Sequence, residues 1–224
     1  TQLGDDIDGD NAGDYLGNSV SLSDDGTIVA IGAVGDDYAG TDSGSVSIFQ
    51  YSNHSWSQLG STIDGDNAGD YSGYSVSLSD DGQIVAIGAV GDDYAGTDSG
   101  SVSIFQYSNN DWNQLGNFIE GDNAGDYYGK SVSLSGDGTT VAIGAEGGYA
   151  EIWQYSNNSW TQLGDDIDGD NAGDYFGNSV SLSDDGNIVA IGAVGDDYAG
   201  TDSGSVSIFQ YSNDSWSQLG STID

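Results

Sequence analysis

Apolar and polar positions fall into one pattern that is written four times along the chain. The segment SVSLS at 19–23 alternates small polar and apolar residues, the two-residue period of a strand with one face on a core. IVAIGA at 28–33 is apolar on both faces, as in a strand covered on both sides. SVSIFQY at 45–51 is rich in β-branched and aromatic residues, and WSQLGSTI at 56–63 closes the unit. Turn residues separate these runs: Asp24-Asp25-Gly26, the stretch 35–44, Asn53 to Ser55, and the acidic run 64–70. No stretch carries the 3.6-residue period of a helix. The pattern predicts an all-β chain.

The repetition is nearly literal. GDNAGDY opens at positions 9, 65, 121 and 169, and VAIGAVGDDYAGTDSGSVSIFQYSN stands verbatim at 29, 85 and 189. The third copy is shorter: after Ala145 it reads EGGYAEIWQY where its siblings read VGDDYAGTDSGSVSIFQY. The units are therefore 9–64, 65–120, 121–168 (shortened) and 169–224, each predicted to be a blade of four antiparallel strands. Such a sheet has two apolar faces and needs a neighbour on each, which points to a β-propeller. Small Ser and Gly in the first two strands suit the crowded inner edge. Trp56, Trp112, Trp160 and Trp216 recur once per unit and read as blade-to-blade packing, while Trp153 takes the place of Phe49. Residues 1–8, TQLGDDID, are a surplus copy of a last strand. Either the chain is a window from a longer array, or the spare strand pairs with another copy or a neighbouring repeat.

Tyr175-Phe176-Gly177 followed by SVSLSDDGNIVAIGAV resembles the FG-GAP repeat, the blade unit of integrin α-subunit propellers and of many surface proteins. The resemblance covers all four copies, although the literal Phe-Gly stands only in the last. The others have Leu16-Gly17, Ser72-Gly73 and Tyr128-Gly129, and Gly32-Ala33-Val34 stands for Gly-Ala-Pro. The resemblance implies an extracellular propeller for adhesion or recognition, often with calcium in blade loops. In integrin-type blades that loop joins the first two strands; here the turn is only Asp24-Asp25-Gly26, too short to wrap an ion.

Charge narrows the functions. One Lys+Arg (Lys130) stands against 37 Asp+Glu, a net charge of −36 in 224 residues. Such a chain is not expected to hold nucleic acid or an anionic membrane surface. No run of about 18 apolar residues exists to span a bilayer, and without cysteine there is neither disulfide nor thiol nucleophile. The start at Thr1 reads as a mature or excised piece. His54 and Lys130 occupy slots filled differently in the other copies, so both read as surface variation, and no catalytic motif appears. Acidic pairs recur in every copy, whereas one active site needs one set; the chain is expected not to be an enzyme.

The carboxylates are expected to gather on one face. The leading loop of each unit and its second loop (35–44 in the first) emerge on the same side of alternating strands. Hard cations take six to eight oxygens from such loops. Asp8, Asp10, Asp14, Asp64, Asp66, Asp70, Asp168, Asp170 and Asp174 are thus candidate calcium ligands, against the alternative that they only stabilise Asx-turns. Asn53, Asn157 and Asn213 begin N-x-S sequons at exposed hairpin tips and are candidate glycosylation sites. The expected function is a non-enzymatic extracellular component, structural or adhesive, of a surface or filament. The alternative is a calcium-dependent module that binds glycans or surface proteins. Repulsion on the acidic face should make stability rise with ionic strength.

Overall fold

The computed structural model describes residues 2–171 and 173–224. The first sheet comprises β1 (Ser19–Leu22), β2 (Ile28–Ala33), β3 (Ser45–Ser52), β4 (Ser55–Gln58) and β5 (Ile63–Asp64). The second comprises β6 (Ser72–Leu78), β7 (Ile84–Ala89), β8 (Ser101–Ser108), β9 (Asp111–Gln114) and β10 (Ile119–Glu120). The third comprises β11 (Ser131–Leu134), β12 (Thr140–Ala145), β13 (Tyr149–Ser156), β14 (Ser159–Gln162) and β15 (Ile167–Asp168). The fourth comprises β16 (Phe176–Leu182), β17 (Ile188–Ala193), β18 (Ser205–Ser212) and β19 (Ser215–Gln218). All strand pairs within the sheets are antiparallel; four strands of each sheet pair in chain order as a meander, and the short β5, β10 and β15 pair with β3, β8 and β13. No helix occurs among the described residues.

IVAIGA forms β2 from its first residue to its last, but the closing strand is interrupted. Both β4 and β5 pair with β3, separated by 59–62, where Gly60 takes φ of +77°. The hairpins joining the third and fourth strands turn on two residues of positive φ, Asn53-His54 in the first blade at 51° and 69°. This is the type I′ geometry that matches strand twist and that Asn tolerates.

The core lies between sheets. One apolar cluster joins Ile28, Ala30, Val46 and Ile48 of the first blade to Val76, Leu78, Val85 and Ile87 of the second. A second joins Ala86, Val102 and Ile104 to Val132, Leu134, Val141 and Ile143, and a third joins Ala142, Ala150 and Ile152 to Leu182, Val189 and Ile191. The two-faced strands β7 and β12 thus feed two cores each, one per neighbouring blade. The first strands of successive blades lie side by side at the inner edge. There a Cβ on Gly32 would run into the carbonyl of Gly73, so only glycine permits the approach.

Residues 2–8 form no strand. They lie against the first blade, where Trp56 Nε1 donates to the carbonyl of Leu3 at 2.9 Å. The same bond joins Trp112 to Leu59, Trp160 to Leu115 and Trp216 to Leu163 at 2.7–2.8 Å. The recurrent Trp therefore packs blade on blade, and the tail occupies the place of a preceding blade's last strand.

Candidate functional site

The leading and second loops do meet on one face. In the first blade, Asp36 Oδ1 accepts the Tyr38 amide at 2.9 Å and its Oδ2 accepts the Ser45 hydroxyl at 3.1 Å. Asp37 Oδ1 accepts the Asp42 amide at 2.9 Å. Equivalent bonds shape the loops of the second and fourth blades. In the first two blades the second loop then braces the following leading loop: in the first, the amides of Gly69 and Tyr71 donate to Thr41 and Asp42 carbonyls at 2.9 and 3.1 Å.

Of the candidate ligands, Asp14, Asp70 and Asp174 are buried and engaged in their own turns. Asp14 and Asp70 accept the amides of Asn11 and Asn67 at 3.1 and 2.9 Å, and Asp174 accepts from Asn171 Nδ2 at 3.1 Å. Asp126 of the third copy does the same with Asn123 at 3.1 Å. Asp8, Asp10, Asp64, Asp66, Asp168 and Asp170 line clefts beside the blades. Among the described residues no group of three or more carboxylates is gathered tightly enough to hold a metal ion. Asn53, Asn157 and Asn213 are exposed at the type I′ turns, whose backbone already accounts for asparagine there.

Three clefts repeat. The first, about 390 Å³, places Asp8, Asp14 and Asp36 around Ser47, Phe49 and Trp56. The second, about 530 Å³, has Asp64, Asp66 and Asp92 around Ser103, Phe105 and Trp112. The third, about 400 Å³, lies on the fourth blade with Asp168, Asp174 and Asp196 around Ser207 and Phe209. Burial, then the nearby Asp36 charge, raises the pKa of Asp64; burial and then Asp92 does the same to Glu120. Burial also raises Asp70, against the lowering bond from Asn67. Like charges crowd these clefts.

In the third blade the protein fills the corresponding place itself. Tyr128 replaces Leu16, Ser72 and Phe176 of the other copies; Tyr149 replaces Ser45, Glu151 replaces Ser47, and Trp153 replaces Phe49. Tyr128 is fully buried and donates its hydroxyl to Glu151 Oε2 at 2.6 Å. Trp153 Nε1 donates to the same oxygen at 2.8 Å and to the Tyr128 hydroxyl oxygen at 2.9 Å. Tyr149 stacks on Tyr128 with centroids 6.2 Å apart and donates to Asp126 Oδ2 at 3.0 Å. Burial raises the pKa of Glu151, and the two donors only partly offset it. Burial and the adjoining carboxylates hold both tyrosine hydroxyls protonated. Lys130 and Glu146, both peculiar to this copy, pair at 2.9 Å, with the ammonium 5.2 Å from the Tyr74 ring centre. The residue pattern marked Trp153 only as a stand-in for Phe49 and Tyr128 only as a stand-in for Phe176, and it left Tyr149 and Glu151 unremarked. The cluster's signal was there: 149, 151 and 153 differ from the other copies at every second position, hence on one face of one strand.

The family model for the FG-GAP repeat matches residues 7–49, 56–105 and 166–209, more than half of the chain. The chain belongs to the FG-GAP repeat family. The FG-GAP matches leave out 106–165, which holds nearly all of the odd third repeat. Comparison with curated proteins returns no match. Among solved structures, the chain is similar to Kuenenia stuttgartiensis hydrazine synthase (TM-score 0.59, 14% identity, 98% of this chain and 52% of that one). It is also similar to the periplasmic gluconolactonase PpgL of Pseudomonas aeruginosa (TM-score 0.61, 14% identity, 92% of this chain and 56% of that one). The chain thus spans about half the length of these relatives, and at this identity the likeness carries the fold alone.

The expectation that the chain is not an enzyme is overturned. A synthase and a gluconolactonase share this FG-GAP chain's architecture, so the fold itself hosts catalysis in other proteins. The premise of that expectation also fails locally. Glu151 is a buried carboxyl with no counterpart in the other copies, so the acidic groups are not simply repeated.

Proposed function

We propose that this FG-GAP repeat protein works outside the cell as an adhesive surface component that holds glycans through its three like clefts. The observation that supports this most is the recurrence of one lining: an aromatic ring, a serine hydroxyl and carboxylate acceptors, at the same place on three blades. Rings offer a surface to the apolar face of a sugar, and the acceptors and hydroxyls meet its hydroxyl groups. Each contact is weak alone. Three on one rigid array add by effective concentration, and near-verbatim copying preserves the spacing.

Filling the clefts tests the reading. Ser47→Tyr, Ser103→Tyr and Ser207→Tyr each place a ring in one cleft. Retention on a glycan array should fall steeply with each cleft filled and vanish with all three. Retention unchanged in the triple variant, or no glycan retained by the native chain, would overturn the reading.

A further inference from the structure

Copies this alike differ at few places, and three copy-specific residues meet in one spot. Tyr74 of the second blade and Lys130 of the third fill a slot that is Asn18 and Asn178 in the other two. Glu146 stands where the other blades have Val34, Val90 and Val194. Tyr74, Lys130 and Glu146 line one cleft of about 210 Å³ between the second and third blades. Tyr71, Tyr127, Asp98 and the buried Val90 line it with them. This cleft shares no lining residue with the three acidic clefts, so its occupant is independent of whether those take a sugar.

Backbone bonds set the walls in place. The Tyr74 amide donates to the Tyr71 carbonyl and the Lys130 amide to the Tyr127 carbonyl, both at 3.1 Å, so each blade contributes the same turn. Tyr71 and Tyr127 lie in these turns at φ of 54° and 48°, and the Tyr127 amide is held by the Asp98 carbonyl at 3.0 Å. Three tyrosine rings therefore stand around one small space.

The charges in it do not balance. Lys130 is matched by Glu146 at 2.9 Å, and its ammonium lies 5.2 Å from the Tyr74 ring centre, within cation–π range. Among the described residues the Asp98 carboxylate accepts only the Tyr127 hydroxyl, at 3.5 Å, longer than a normal O–H···O bond. A ring-walled cleft with one weakly partnered carboxylate, in a chain of net charge −36, repels anions and favours a cation with a carbon surface.

We propose that this cleft binds a small methylated ammonium, its nitrogen among Tyr71, Tyr74 and Tyr127 and its charge met by Asp98. Lys130 already places one ammonium against the Tyr74 ring. A free primary ammonium would surrender hydrogen bonds to water that rings do not replace, whereas a quaternary one has none to lose.

Ligand-observed NMR titration with choline and with its uncharged carbon isostere, dimethylbutanol, tests the site. Choline should bind the native chain roughly tenfold more tightly than the isostere, the scale of a cation–π contact out of water. Tyr74→Asn installs the residue of the first and fourth blades, so circular dichroism should show it folded, and it leaves the net charge unchanged. It should weaken choline about fivefold, and Asp98→Asn should weaken it similarly. Lys130→Asn, likewise a residue of the sibling blades, removes a competing positive charge and should tighten choline. The proposal is overturned if native chain binds no choline or binds it no better than the isostere. It is equally overturned if Tyr74→Asn leaves the affinity unmoved, as loose attraction to the acidic loops would, or if Lys130→Asn weakens binding.

Discussion

The third blade and its siblings solve the same problem in opposite ways. Blades one, two and four keep an eight-residue-longer loop and an open, acidic cleft; the third gives up the loop and fills the cleft with Tyr128, Tyr149, Glu151 and Trp153. With serine at 45 and 47, nothing on the strand reaches across the gap between sheets. With tyrosine and glutamate at the matching positions, an aromatic and hydrogen-bonded plug does. The difference teaches that the blade skeleton tolerates either a hole or a plug, since an apolar cluster joins successive sheets in every case and Tyr128 merely adds to the one between the second and third. The open form is therefore not required by the fold.

The plug is the place to break this contrast. Tyr128→Ala should cost about 3–5 kcal/mol in urea unfolding, the usual loss for a large buried ring, and the half-buried Trp153→Ala about 1–3 kcal/mol. Ser103→Ala, in the open cleft of the second blade, should stay within about 0.5 kcal/mol. A loss at Trp153 no larger than at Ser103 would show that the plug does not pack.

The reverse experiment installs the plug. Ser72→Tyr, Ser101→Tyr, Ser103→Glu and Phe105→Trp together should close the second blade's cleft and raise stability by about 0.5–2 kcal/mol, the range of cavity-filling changes. A drop in stability would mean that the second loop, with Asp92 and Asp93, excludes the plug by charge.

The buried carboxyl adds a pH signature. Burial holds the Glu151 pKa above its ordinary value in the fold, Asp166 and Asp122 adding to the rise while the bonds from Tyr128 and Trp153 oppose it. The folded state then binds the proton more tightly than the unfolded one, so this group's contribution to stability falls as pH rises from the ordinary to the raised value. Glu151→Gln keeps an acceptor for both donors without the charge. It should melt higher than the native chain at neutral pH, and the gap should shrink under acid. A gap that grows as pH falls would reverse the sign and refute the argument.

The smallest effect belongs to the lone cation. Lys130→Met removes a half-exposed pair with Glu146 and should cost no more than about 1 kcal/mol, less at high salt. A larger, salt-independent loss would place Lys130 in the packing of Tyr74 rather than in the pair.

The strand pattern was readable because two-residue alternation and Asn or Gly turns are local properties. IVAIGA and the Asn53-His54 turn lie where the pattern places them. The interruption of the last strand at Gly60 was hidden, since a single Gly within an apolar run does not reveal its φ. The leading loops were foreseen on the correct face, but Asp14 and Asp70 point into their own turns, and loop composition does not tell a ligand from a capping acceptor. The Tyr128–Glu151 cluster was missed for another reason. It joins residues 23 apart across a blade, and a buried carboxyl is recognisable only once its neighbours are known.

Three of the four blades pair their middle strands in the same register with the same residues: Ile28 with Gln50, Ile84 with Gln106 and Ile188 with Gln210. During folding, a strand from one of these copies meets equally good partners in the other two, so local energy does not distinguish the native match from an exchanged one. The third copy differs: its β13 carries Tyr149, Glu151 and Trp153, which meet Tyr128 of the same blade, a residue the other copies lack. The odd blade is thus the chain's own reference mark for correct assembly, and refolding without it should yield strand-exchanged species that the native chain avoids.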